Sequence, residues 1–254
     1  MLEAARLTKY YGSVLAVNEA SFQIAPGSVL GYLGPNGSGK STTVKMLTGL
    51  LQPTDGQVLF EGRDIHKDLV AYRRRMGYVP EEANLYPHLS GGEYLEIVGT
   101  LRGMEGRRLS SRADALLHLL GLAPYKRVPI GAYSKGMRQR ILLIAALMDN
   151  PDVLILDEPL SGLDVTYAMV VKNFILLLSR AGKSIFYCSH VLEVVEKVCS
   201  ELLVIRKGQV LAYGSTAEVR EQIGQASLEQ AFMQLVEDKD AVQIANDIVD
   251  VVVN

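Results

Sequence analysis

The chain is 254 residues long and 48% hydrophobic, enough to bury a full core, so one domain with a substantial insertion is the simplest organisation. Its 26 lysines and arginines against 28 acids leave a formal net charge of −2. That balance argues against nucleic acid as the main partner, because binders of the phosphate backbone concentrate positive charge.

The N-terminal Met1-Leu2-Glu3-Ala4-Ala5-Arg6 has no apolar stretch of the signal-peptide kind, and no leader is expected. Leu15–Ile24 and Gly56–Phe60 read as antiparallel strands, set off by the turn residues Pro26-Gly27 and Thr54-Asp55-Gly56. Between them, Ser28–Leu33 is a short, nearly continuous apolar run, the pattern of a strand buried on both faces. Ser41–Leu50 follows with helical periodicity, and Met76–Val79 repeats the buried-strand pattern. From about Pro87 to Asn150 strand signals nearly vanish, and helical patterns cover Tyr94–Arg102, Ser111–Leu120 and Ser134–Met148. The basic clusters Arg73-Arg74-Arg75 and Arg107-Arg108 read as solvated helix faces.

Val153–Leu156, Ser184–Cys188 and Leu202–Ile205 complete the buried strands, with a helical pattern over Thr166–Ala181. Strands alternating with helices predict an α/β fold with a parallel sheet and right-handed crossovers. The expected division is a core at 1–82 and 151–220, a helical insertion at 83–150 and a helical tail at 221–254. In that tail Ile244, Ala245, Ile248, Val249 and Val252 recur at helical spacing. Cys188 and Cys199 lack metal or redox spacing and read as buried thiols of a reducing compartment. The longest apolar run, Ile141–Met148, is far short of the ~20 residues that cross a bilayer, so a soluble chain is expected.

One motif dominates. Gly34-Pro35-Asn36-Gly37-Ser38-Gly39-Lys40-Ser41-Thr42 places Gly-Lys-Ser after a glycine and four residues, between a predicted strand and a predicted helix. Glycines let successive N–H groups curl toward phosphate oxygens, and the helix N-terminus adds partial positive charge. Lys40 can reach the β- and γ-phosphates, and the Ser41 hydroxyl can ligate Mg²⁺. Farther on, Val153-Leu154-Ile155-Leu156-Asp157-Glu158-Pro159 is an apolar strand ending in two acids. Asp157 suits the metal, and Glu158 can polarise an attacking water. Together these predict a nucleoside triphosphate hydrolase.

On these residues the chain resembles the ATP-binding subunits of ABC transporters, over about residues 1–235. The resemblance implies a P-loop, RecA-like parallel-sheet core with an antiparallel β part and an inserted α-helical subdomain. Ser161-Gly162-Leu163-Asp164 is similar to the family's D-loop, and Ser189-His190 to its switch histidine. Tyr11 falls where the family stacks an aromatic on adenine, a contact worth about 1–3 kcal/mol.

Two strings compete for the family's signature motif. Leu89-Ser90-Gly91-Gly92-Glu93 is the closer spelling, but it lies too far upstream of Asp157 and reads as a capping box opening the helix at Tyr94. Tyr133-Ser134-Lys135-Gly136-Met137-Arg138-Gln139-Arg140 stands in the right place, with Lys135 replacing a glycine and Met137 a glutamine. After Val79-Pro80, Glu81 stands where the family usually has glutamine, and its carboxylate can ligate Mg²⁺.

By resemblance, then, the chain is an ATPase on the cytoplasmic face of the membrane, with ATP and Mg²⁺ as its cofactors. Its partners would be a transmembrane permease, which alone touches the lipid, and a second ATP-binding subunit in a head-to-tail homodimer. Each site would join Lys40, Ser41, Asp157, Glu158 and His190 of one chain to Ser134 and Gly136 of the other. The groove at Glu81–His88 would receive a helix of the permease. The Glu81-Glu82 loop, the Tyr133–Met137 string and the ending Ser227–Phe232 are similar to those of an export-dominated branch. The alternatives are a soluble ATPase of this type in translation or DNA maintenance, whose chains carry two cassettes or a long coiled coil, and a phosphotransferase.

Overall fold

The computed structural model describes residues 1–223, 246 and 248–252. In chain order it runs β1 (Leu2–Tyr11), β2 (Val14–Ile24), β3 (Val29–Leu33), α1 (Lys40–Leu47), β4 (Asp55–Phe60), β5 (Arg63–Asp64), α2 (Leu69–Arg75) and β6 (Met76–Val79). Three helices follow: α3 (Gly91–Leu101), α4 (Gly106–Leu119) and α5 (Lys135–Leu147). Then come β7 (Val153–Asp157), α6 (Val165–Arg180), β8 (Ser184–Cys188), α7 (Leu192–Val198), β9 (Glu201–Arg206), β10 (Gln209–Ser215) and α8 (Thr216–Ile223). Of the tail pattern, Ile244, Ala245 and the segment Ser227–Phe232 lie outside the described residues.

The larger sheet has the order β10-β9-β3-β8-β7-β6, parallel except for the antiparallel hairpin that joins β9 to β10. The smaller sheet, β2-β1-β4-β5, is antiparallel throughout. All residues of β3, β7 and β8 are buried, which explains their unbroken apolar runs. Successive side chains alternate between two cores. Leu30 and Tyr32 face Phe22, whereas Val29 and Leu33 join a core with Val195, Ile144 and Ile175. Tyr32 sits 5.0 Å from the Phe186 ring, and its hydroxyl pairs with Thr43 Oγ1 at 3.0 Å. The parallel sheet is thus clamped between the antiparallel sheet with α1 on one face and α5, α6 and α7 on the other.

Strand β1 is absent from the sequence reading. Its pairing slips between Ala4 and Leu7, and Arg6 at φ 48° marks a bulge that breaks the two-residue alternation. The capping box is present: Glu93 N–H donates to Ser90 Oγ at 3.3 Å, and Ser90 N–H to Glu93 Oε2 at 2.8 Å. The helix it opens begins at Gly91 rather than Tyr94, because Glu93 occupies the third helical position of such a box. Arg73, Arg74 and Arg75 are exposed, as a solvated face requires, and on that face Arg75 bridges Glu61 at 2.7 Å and Asp152 at 2.6 Å over the Phe60 ring. Both cysteines are buried and free. Among the described residues, no helix is long and apolar enough to cross a membrane.

Candidate functional site

Residues 34–39 connect β3 to α1 at the C-terminal edge of the parallel sheet, where α/β folds place their ligands. Gly39 adopts φ 105°, and a Cβ there would lie 2.5 Å from the Ala16 carbonyl, so only glycine lets the loop close against β2. No side chain caps α1, so its first-turn N–H groups face the loop without a competing acceptor from the cap. Lys40 Nζ donates to the carbonyls of Gly34 at 2.6 Å and Pro35 at 2.9 Å. An ammonium has three donors, so these two bonds stiffen the loop and leave one for a ligand.

These residues line a cavity of about 600 Å³ together with Val14, Leu15, Ala16, Glu81, Asp157, Glu158 and His190. Asn36, Gly37, Ser41 and Thr42 all reach it, whereas Ser38 is 2% exposed and buried behind the loop. Tyr11 does not line the cavity; its register partner across the hairpin, Val14, does. The apolar wall at Val14–Ala16 went unseen because its residues carry no chemistry of their own.

Asp157 ends β7 and is 6% exposed. Burial pushes its carboxyl up to about 6; Glu81 and Glu158 add to the shift, and the Cys188 thiol and Lys40 oppose it. Two buried carboxylates, Asp157 and Glu158, with the exposed Glu81 at the same cavity, favour a bound cation. Among the described residues no group of three or more His, Cys, Asp or Glu side chains is placed to hold a metal ion by itself. Ser41, Asp157 and Glu81 line the same cavity, a hydroxyl and two carboxylates of the oxygen chemistry Mg²⁺ takes, which usually needs only one or two carboxylates beside water and substrate phosphate.

Glu158 has a left-handed backbone, φ 47°, anchored by its N–H on the Cys188 carbonyl at 2.9 Å. Its carboxylate accepts the His190 N–H at 2.8 Å and pairs with His190 Nδ1 at 2.6 Å. The acid and the histidine thus form one unit at the cavity wall, joining β7 to the end of β8.

Ser134, Gly136 and Asp164 do not line this cavity. Ser134 caps α5, accepting the Met137 N–H at 3.2 Å, and Asp164 caps α6 through the Tyr167 N–H at 2.9 Å. Gly136 lies against Gly162, where a Cβ would come within 2.6 Å of the Gly162 carbonyl. Two residues at the end of the signature string tie these motifs together. Gln139 donates to the Pro159 carbonyl at 3.2 Å, and the Arg140 guanidinium sits 4.1 Å from the Tyr167 ring.

Comparison with known proteins now decides the family. A family model described as ABC transporter matches residues 17–161, more than half of the chain. The chain belongs to the ABC transporter family. This cassette is 34% identical over 224 residues to the linearmycin resistance ATP-binding protein LnrL of Bacillus subtilis, covering 88% of the chain and 72% of that relative. A solved structure titled as the ATP binding subunit of an ABC transporter superposes with a TM-score of 0.87 at 28% identity, over 92% of this chain and 99% of that one. A second, a dimeric bacterial ABC transporter cassette, gives 0.78 at 25% identity over 85% and 98%. The cassette is an ATP-binding subunit and an ATPase, and its α/β fold is the P-loop fold of that family.

Proposed function

We propose that two copies of this cassette close head to tail around two Mg·ATP and drive a membrane permease in the direction of export. The observation that carries this reading is the division of the motifs. The loop, both acids and His190 meet at one cavity, while Ser134 and Gly136 lie outside it on the same chain. A triphosphate in the cavity needs the cap of a second copy to be enclosed, and a dimeric arrangement of a related cassette supports that geometry.

In this reading Gly34, Asn36, Gly37, Ser38, Gly39 and Thr42 hold the phosphates largely through the loop backbone, with Lys40 as counter-charge. The Val14–Ala16 wall, with Tyr11 beside it, takes the adenine. Ser41, Asp157 and Glu81 would hold Mg²⁺, which would supply positive charge against the phosphates. Glu158 accepts the proton of the attacking water, and His190 keeps its carboxylate oriented. Ser134 and Gly136 of the opposite copy cover the γ-phosphate, with Asp164 at the seam. Hydrolysis then removes the contact that distinguished closed from open.

The core comprises residues 1–82 and 151–220, with the helical part at 83–150 receiving the permease in the groove at Glu81–His88. The tail at 221–254 is assigned no role. Tyr86, 68% exposed on that segment, is a side chain for a partner helix to cover. The cassette would therefore sit on the cytoplasmic face of the membrane, held there by the permease. The name of a relative 35% identical over 219 residues, the Nod factor export ATP-binding protein I of Cupriavidus metallidurans, supports export.

A pair of variants separates the two signature candidates. Ser134→Arg is expected to abolish ATP-driven dimerisation, read by size-exclusion chromatography, while monomer ATP binding persists. Ser90→Ala should cost about 0.5–2 kcal/mol in urea denaturation, as loss of a helix cap does, and leave hydrolysis intact. Dimerisation controlled by Ser90 would reverse the assignment. Glu81→Gln, in turn, should keep ATP binding but raise the Mg²⁺ concentration needed for half-maximal hydrolysis, because an amide carries less charge toward the metal. A Mg²⁺ titration superposing on wild type would remove Glu81 from the metal site.

A further inference from the structure

Ser189 does not line the cavity, yet it holds the group assigned as the base. It is 2% exposed, and its Oγ donates to Glu158 Oε2 at 3.0 Å. The direction of that bond is forced. An ionised carboxylate only accepts, and the Ser189 oxygen already takes the Val191 N–H at 3.2 Å, so its proton points at Oε2. The other oxygen, Oε1, is held by the backbone and ring of His190. Glu158 is therefore pinned at both oxygens, and only one of the two anchors belongs to a residue that reaches the cavity.

We propose that Ser189 is a positioning residue for hydrolysis, its buried hydroxyl fixing the plane of the Glu158 carboxylate so that an unoccupied lone pair meets the attacking water. This rests on Glu158 as the base and adds to it. A glutamate has rotamer freedom that a single anchor leaves partly unquenched, and proton abstraction needs alignment within a few tenths of an ångström. Ser189 neither accepts the proton nor touches nucleotide; it acts through Glu158 alone. A purely structural Ser189, serving the turn into α7 through Val191, would instead alter stability and leave the chemical step untouched.

The test is a double-mutant cycle on the full chain under saturating Mg·ATP. Ser189→Ala is expected to lower kcat about 10-fold with KM for ATP within about twofold, the size of effect that follows from losing one hydrogen bond to a charged group. Ser189→Thr, which keeps the hydroxyl, should stay within about threefold of wild type. In a Glu158→Gln background, Ser189→Ala should change the residual single-turnover rate by less than about twofold, because the group it orients is gone. Wild-type kcat in Ser189→Ala, equal losses in Ser189→Thr and Ser189→Ala, or the same loss in both backgrounds would each overturn the positioning role. Wild-type turnover in Glu158→Gln alone would instead overturn the assignment of the base.

Discussion

Glu158→Gln is expected to bind ATP as wild type does and to hydrolyse it at least about 100-fold more slowly, since general bases contribute about 10²–10⁴-fold. The substitution keeps size and shape in a site where only 8% of the residue is exposed, so the fold and the left-handed turn at φ 47° should survive. One amide oxygen can still accept from Ser189 or from His190, but no carboxylate remains to take a proton from water. Binding and closure depend on the loop and the opposing cap rather than on this group, so the variant should accumulate with ATP bound. Steady-state phosphate release beside equilibrium binding of a fluorescent ATP analogue separates the two effects. Turnover near wild type would move the base elsewhere.

Lys40→Ala should behave differently, losing affinity and hydrolysis together. Its ammonium bonds to the carbonyls of Gly34 and Pro35, at 2.6 and 2.9 Å, and therefore both shapes the loop and supplies its charge. Removing it takes a cation away from a cavity that also holds Glu81, Asp157 and Glu158, leaving a net negative wall to meet a triphosphate. A loss of at least about 10-fold in ATP affinity is expected, since a hydrogen bond to a charged group contributes about 1.5–3 kcal/mol. Unchanged affinity with unchanged hydrolysis would reject the phosphate-loop assignment.

What could be read before the structure was whatever the chain encodes locally. The phosphate loop is contiguous, and β3, β7 and β8 are buried on both faces, so their apolar runs stand out. The Ser90 capping box spans four residues and was legible for the same reason. Strand β1 was not, because the bulge at Arg6 shifts its pattern midway. Nor was β10, where only Ala212 is fully buried and the edge of the sheet imposes little alternation. The site was legible as a list of residues and illegible as a set of contacts. Ser189 meets Glu158 across 31 positions, Gln139 meets Pro159 across 20, and only the order β3-β8-β7 brings the loop and the acids to one edge. Tyr11, singled out by the resemblance, pairs with Val14 across the hairpin, and of the two only Val14 lines the cavity.

The shared site is tested most directly by sedimentation equilibrium of Glu158→Gln, with and without Mg·ATP, combined with bound-nucleotide stoichiometry. A nucleotide-dependent conversion from monomer to dimer carrying two ATP is the expected result. A species that stays monomeric with its cavity saturated would contradict it.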